Sequence, residues 1–158
     1  VIRHRPAARR LQELFPRHRV SQSIAETDGP DQVVLTVSDH AGKALFEIRS
    51  QARYSDRAAK RPRNTDALPI ERVEVFSPAI PDFHGLRVGM RYRDILARRG
   101  GKLEFTVNHH DVSLGADGVY YNLAPPRPRD GPGPEPNRAN LVRGNWPIAS
   151  ISVPGPRW

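Results

Sequence analysis

The sequence predicts an α+β fold built as two tandem α-β-β-β-β repeats, with short helices packed on antiparallel sheet. Three observations predict it. A phrase recurs, LPIERVEVFSP at residues 68–78 and WPIASISVPGP at residues 146–156. A hairpin pattern precedes each copy of the phrase, and a short apolar-striped helix precedes each hairpin. The repeats would divide the chain into 1–80 and 81–158.

Each repeat opens on a helix. In PAARRLQELF, Pro6 suits a first helical position, and Leu11, Leu14 and Phe15 fall on one face. In RYRDILARRGG, Tyr92, Ile95 and Leu96 share that spacing, and Gly100-Gly101 end the run. Helices this short are unstable alone, so each must lay its stripe on a sheet. Strands follow at 19–25 and at Leu103, Phe105 and Val107.

The hairpins read from period-2 alternation. Val33, Leu35 and Val37 run to the turn Asp39-His40-Ala41-Gly42, and Ala44, Phe46 and Ile48 return from it. Val112 and Leu114 run to Gly115-Ala116-Asp117-Gly118, and Val119, Tyr121 and Leu123 return. The recurring phrases are the fourth strands, half-buried, with Val73 and Val75, or Ile151 and Val153, on one face. Ile70 and Ile148 stand out of phase with those pairs, which marks a bulge or a strand entry. The connections before the fourth strands are long: a basic one at 51–68 and a Pro/Gly-rich one at 124–147. Loops of that length without regular structure are mobile or functional.

Composition narrows the classes. Hydrophobic residues make up 37% of the 158, enough for a globular body, while 16 Pro and 12 Gly predict an unstructured segment within it. No run of 18 apolar residues exists, so no transmembrane helix is expected. The chain begins with Val rather than Met, which predicts a cleaved or trimmed chain and leaves room for an export signal upstream. Cysteine is absent, which excludes disulfides and thiolate metal sites. Net charge is +8, and Lys43, Lys60 and Lys102 are the only lysines among 25 basic residues. An Arg-rich surface fits phosphate-bearing partners, although scattered charges interleaved with acids also describe an ordinary solvated surface.

No catalytic residue is assigned. Asp82, His84, His109, His110 and Asp111 are the metal-capable side chains, but adjacent His109 and His110 on a strand point to opposite faces. No metal and no cofactor are therefore expected. His84, His109 and Asp111 remain the set on which a hydrolase would rest if they converged. No Gly-x-Ser-x-Gly elbow and no phosphate-cradling Gly loop occur. Arg53, Arg57, Lys60, Arg61 and Arg63 form the candidate anion- or partner-binding set. A nucleic-acid module is a further alternative, disfavoured because only Tyr54 could stack nearby.

The segment IERVEVFSPAIPDFHGLRVGMRYRDIL resembles the centre of the sigma-E-regulated outer-membrane lipoproteins of Gram-negative bacteria, a family of unknown function. GVYYNLAP, the ending GNWPIASISV and the early LQELFPRHRVSQS are similar to that family as well. Some members carry two cysteines after the second helix, where Gly100–His110 has none. The resemblance implies a lipidated cysteine upstream of Val1, an outer-membrane anchor and a periplasmic body, and it supplies no catalytic residue. The expected function is thus non-enzymatic: an envelope lipoprotein ectodomain that binds an envelope protein or an anionic lipid or lipopolysaccharide surface. Its membrane contact would be an N-terminal lipid outside this chain.

Overall fold

A computed structural model describes residues 7–26, 31–51, 69–100, 102–107, 112–125 and 133–155. These residues form α1 (Ala7–Leu14), β1 (Arg19–Ala25), β2 (Gln32–Ser38), β3 (Ala44–Gln51), β4 (Ile70–Val75), α2 (Tyr92–Arg99), β5 (Glu104–Val107), β6 (Val112–Ala116), β7 (Val119–Leu123), α3 (Arg138–Gly144) and β8 (Ile148–Pro154). The strands take the order β1-β2-β3-β4-β8-β7-β6-β5 in one sheet.

The expected α+β class of two tandem repeats is corrected by this arrangement. Among the described residues the protein is mainly β: one eight-stranded antiparallel sheet with three short helices. The helices are too slight to form a layer. They span 8, 8 and 7 residues; α1 buries none fully, α2 only Ile95 and α3 only Leu141. The recurring phrases also lie in different surroundings. No residue of β4 is buried, whereas Ile148, Ser150, Ile151 and Ser152 of β8 all are. Strand β8 is therefore not the half-buried strand its alternation predicts.

Two compact units are present, residues 1–74 with 154–158, and residues 75–153. In the first unit, β1, β2 and β3 pair antiparallel, which places Val20, Val37 and Phe46 in one row and Gln22, Leu35 and Ile48 in the next, on one face. α1 packs on that face, with the Phe15 ring edge-on to Phe46 at 5.3 Å. Gln12 locks the helix to β1: its amide donates to the His18 carbonyl at 2.8 Å and its oxygen accepts from the Val20 amide at 3.2 Å.

The second unit holds a larger apolar core. Phe105, Leu114, Tyr121 and Ile151 line up across β5-β6-β7-β8, and Val107, Val112, Leu123 and Ile148 form the next row. The out-of-phase Ile148 is explained by a register shift beside Leu123: exposed Ala149 is the extra residue, so Ile148 returns to the core face. The opposite face carries a polar ladder. Ser113 Oγ donates to Asn122 Oδ1 at 2.7 Å, and Asn122 Nδ2 donates to Ser150 and Ser152 at 2.9 and 3.2 Å. The β6–β7 turn is Asp117-Gly118, both at positive φ, as a two-residue type I′ turn requires.

The segment 124–147, expected to lack regular structure, contains α3. Asn137 caps it by accepting from the Asn140 amide at 2.9 Å, and Asn145 ends it in the left-handed region. Trp146 follows, 1% exposed, with its indole against Gly144 so closely that a Cβ there would meet the ring at 2.5 Å. Backbone bonds Tyr92 to Trp146, Ile148 to Met90 and Gly89 to Ile148 then fasten the α2 approach to this ending.

The different surroundings of the two phrases have a measurable consequence. Ile151→Ala should destabilise the protein by about 2–5 kcal/mol, and Val73→Ala by less than half as much. Urea denaturation of the two variants checks the contrast.

Candidate functional site

Of the residues singled out by sequence, Arg53, Arg57, Lys60, Arg61 and Arg63 lie outside the described residues, as do His109, His110 and Asp111. His84 and Asp82 are described, and they sit on one turn between β4 and α2.

Asp82 organises that turn. Its Oδ1 accepts from the amides of His84 and Leu86, both at 2.8 Å, and its Oδ2 accepts from the Tyr121 hydroxyl at 2.6 Å. With both oxygens engaged, this carboxylate is a fastening rather than a free base or ligand. Tyr121 is fully buried in the core of the second unit. Burial pushes its hydroxyl well above the ordinary tyrosine value, and the Asp82 carboxylate reinforces the shift by holding the protonated form.

The His84 ring meets a cation, not a carboxylate: Arg99 donates to its Nε2. The Arg99 side chain is 3% exposed and also donates to the Ala116 carbonyl at 2.8 Å and to the exposed Asp117 carboxylate at 3.0 Å. Arg98 reaches the same turn, donating to the His84 carbonyl at 3.0 Å. Among the described residues, no three His, Cys, Asp or Glu side chains gather as a metal site.

In the first unit, charged groups on β3 and β4 largely answer one another. Arg49 pairs with Glu47 at 2.6 Å and with Glu74 at 3.6 Å, and Arg72 approaches Glu74 at 3.8 Å. The other face of that sheet holds a hollow of about 590 Å³ beneath α1. Val33 and Leu35 of β2 with Ile48 and Ser50 of β3 form its floor; Ala7, Leu11 and Leu14 form its roof. Ile70 stands at one side, and Arg10 and Glu13 supply the charge. Glu13 pairs with Arg9 at 3.7 Å, while Arg10, exposed, has no ion pair among the described residues.

The fold has a solved counterpart. The chain is similar to the crystal structure of the uncharacterized protein yfeY from Escherichia coli, with a TM-score of 0.57 and 16% identity over 91% of this chain and 86% of that one. No protein-family model and no curated protein matches. At this identity the likeness carries the fold alone.

Sequence reasoning singled out Asp82 only as a metal-capable side chain, because nothing local reveals that a tyrosine far along the chain engages the carboxylate. The hollow was missed altogether. Its one signal was the apolar stripe of α1, which is wider than the contact of Phe15 with Phe46 consumes.

The buried tyrosine has a pH signature. Its folded-state value is raised, so the stability it contributes is complete below the ordinary value of 10.0 and is lost as pH climbs beyond it. Tyrosinate absorbance of the folded protein should therefore rise equally in wild type and Tyr121→Phe, with the extra wild-type tyrosinate emerging only on alkaline unfolding. An extra tyrosinate titrating in the folded protein near pH 10 would contradict the buried bond.

Proposed function

We propose that the chain is the non-enzymatic periplasmic body of an envelope lipoprotein, of the sigma-E-regulated family that its sequence resembles. Its anchor would be an N-terminal lipid outside this chain, at the outer membrane. It works by holding an anionic amphiphile of the envelope beneath α1.

The observation that carries this reading is the hollow. Its volume of about 590 Å³ suits a single small ligand. Apart from Ser50 its floor and roof are aliphatic, which favours an acyl chain over a polar substrate. Arg10, exposed and without an ion pair among the described residues, is the complement for an anionic head group. α1 buries none of its own residues fully, and Gln12 ties down only its C-terminal end, so its first turn can shift to admit a chain without disrupting a core. Binding is favoured over catalysis because the Asp82 carboxylate is saturated and the His84 ring faces Arg99.

Titration with cis-parinaric acid, a fluorescent single-chain carboxylate, tests it. Saturable binding is expected, weakened about tenfold by Arg10→Glu, equivalent to about 1.4 kcal/mol. Absence of saturable binding, or equal affinity in Arg10→Glu, would overturn the assignment of the hollow.

A further inference from the structure

The turn that Asp82 organises carries side chains which neither the core nor the hollow uses. Pro78, Ala79, Pro81 and Phe83 are all exposed, and Phe83 is 92% exposed. Scattered apolar residues on a surface are ordinary. Four within six positions, on a turn with a fixed conformation, form an apolar tip.

The tip is held from several sides. Ser77, 5% exposed, accepts the Ala79 amide on Oγ at 3.2 Å, and its carbonyl accepts the Ile80 amide at 3.3 Å. Arg87 donates to the carbonyls of Pro78 and Ala79 at 3.1 and 2.8 Å. The Asp82 amide donates to the Leu86 carbonyl at 2.9 Å, and the Asp82 carbonyl accepts the Gly85 amide at 3.0 Å. Arg98 supplies the His84 carbonyl. These backbone groups are paired within the protein, so moving the tip out of water leaves them satisfied. That is the condition for entering a lipid interface without a large desolvation penalty.

Charge surrounds the tip in a matching way. Arg87 and Arg98 are bonded directly to its backbone, and Arg99 meets the His84 ring. Asp82 is engaged at both oxygens, and Asp117 is paired with Arg99. An apolar tip flanked by the Arg87 and Arg98 guanidinium groups is the chemistry of an interfacial membrane contact: the aromatic ring enters the acyl boundary while those two cations meet head-group phosphates, and Arg99, its side chain buried, holds the His84 ring from below. A protein partner would need a broader complementary surface than this narrow tip offers.

We propose that residues 78–84 form a membrane-contact prong that inserts Phe83 into an anionic bilayer surface. The prong belongs to the second unit and the hollow to the first, so this inference does not depend on the ligand of the hollow.

Co-sedimentation with vesicles tests it, using phosphatidylcholine alone and an equal mixture with phosphatidylglycerol. The wild-type chain should partition onto the mixed vesicles, less so at high salt. Phe83→Ser should lower that partitioning about tenfold while leaving the denaturation midpoint and parinaric acid binding unchanged. In Phe83→Trp made together with Trp158→Phe, emission should shift to the blue on mixed vesicles, against the constant background of the buried Trp146. Equal partitioning of wild type and Phe83→Ser would overturn the prong. A wild-type chain that ignores both vesicles would overturn it too, and would leave a protein partner as the occupant of the tip.

Discussion

A tyrosine hydroxyl at zero exposure must find a partner, because an unpaired polar group in a core is destabilising. The partner of Tyr121 is Asp82, and much of the second unit depends on that bond. It joins the strand at the centre of the core to a turn that would otherwise be a surface loop. The same carboxylate caps the amides of His84 and Leu86, so Leu86 is drawn to zero exposure in the core while Phe83 is turned outward. One side chain thereby sets both the packing beneath the turn and the exposed tip above it.

The rest of the architecture follows from burial on strands. Cross-strand rows such as Phe105, Leu114, Tyr121 and Ile151 form the core of the second unit, and α2 and α3 act as clips over it through Ile95 and Leu141. The ending Gly-Asn-Trp-Pro-Ile, part of the resemblance to the lipoprotein family, has a structural role at each described step. Gly144 leaves room for the indole, Asn145 turns the chain through the left-handed region, and Trp146 fills the core. Ile148 reaches the core through the bulge at Ala149. The segments that resemble the family therefore read as folding instructions.

Local pattern made most elements legible. Alternation at Val33, Leu35 and Val37, and at Val119, Tyr121 and Leu123, located the hairpins, and the turn residues located their tips. Tyr120 and Tyr121 point to opposite sides of β7 as alternation demands, one exposed and one buried. What failed was the weighing of elements. Counting short helices beside strands suggested two classes of structure in balance, but a helix that buries one residue or none contributes little to a core. The recurring Pro-Ile phrase was persuasive as text, yet local sequence does not encode how deeply a strand is covered. Ser150 and Ser152 looked like a solvent face and are instead buried against Asn122, a contact set by strand pairing rather than by spacing. The Pro and Gly residues at 125–134 masked the helix that follows, whose cap Asn137 was the available signal. Of the candidate site, Asp82 and His84 were visible only as chemically capable side chains, while the bond of Asp82 to Tyr121 and the outward pose of Phe83 depend on contacts distant in sequence.

A double-mutant cycle on Asp82→Ala and Tyr121→Phe, followed by urea denaturation, measures the central interaction apart from the other bonds each residue makes. A hydrogen bond to a charged group predicts a coupling energy of about 1.5–3 kcal/mol between the two sites. Destabilisations that add to within about 0.5 kcal/mol would mean that the two side chains act independently, and the account of this fold would be wrong at its centre.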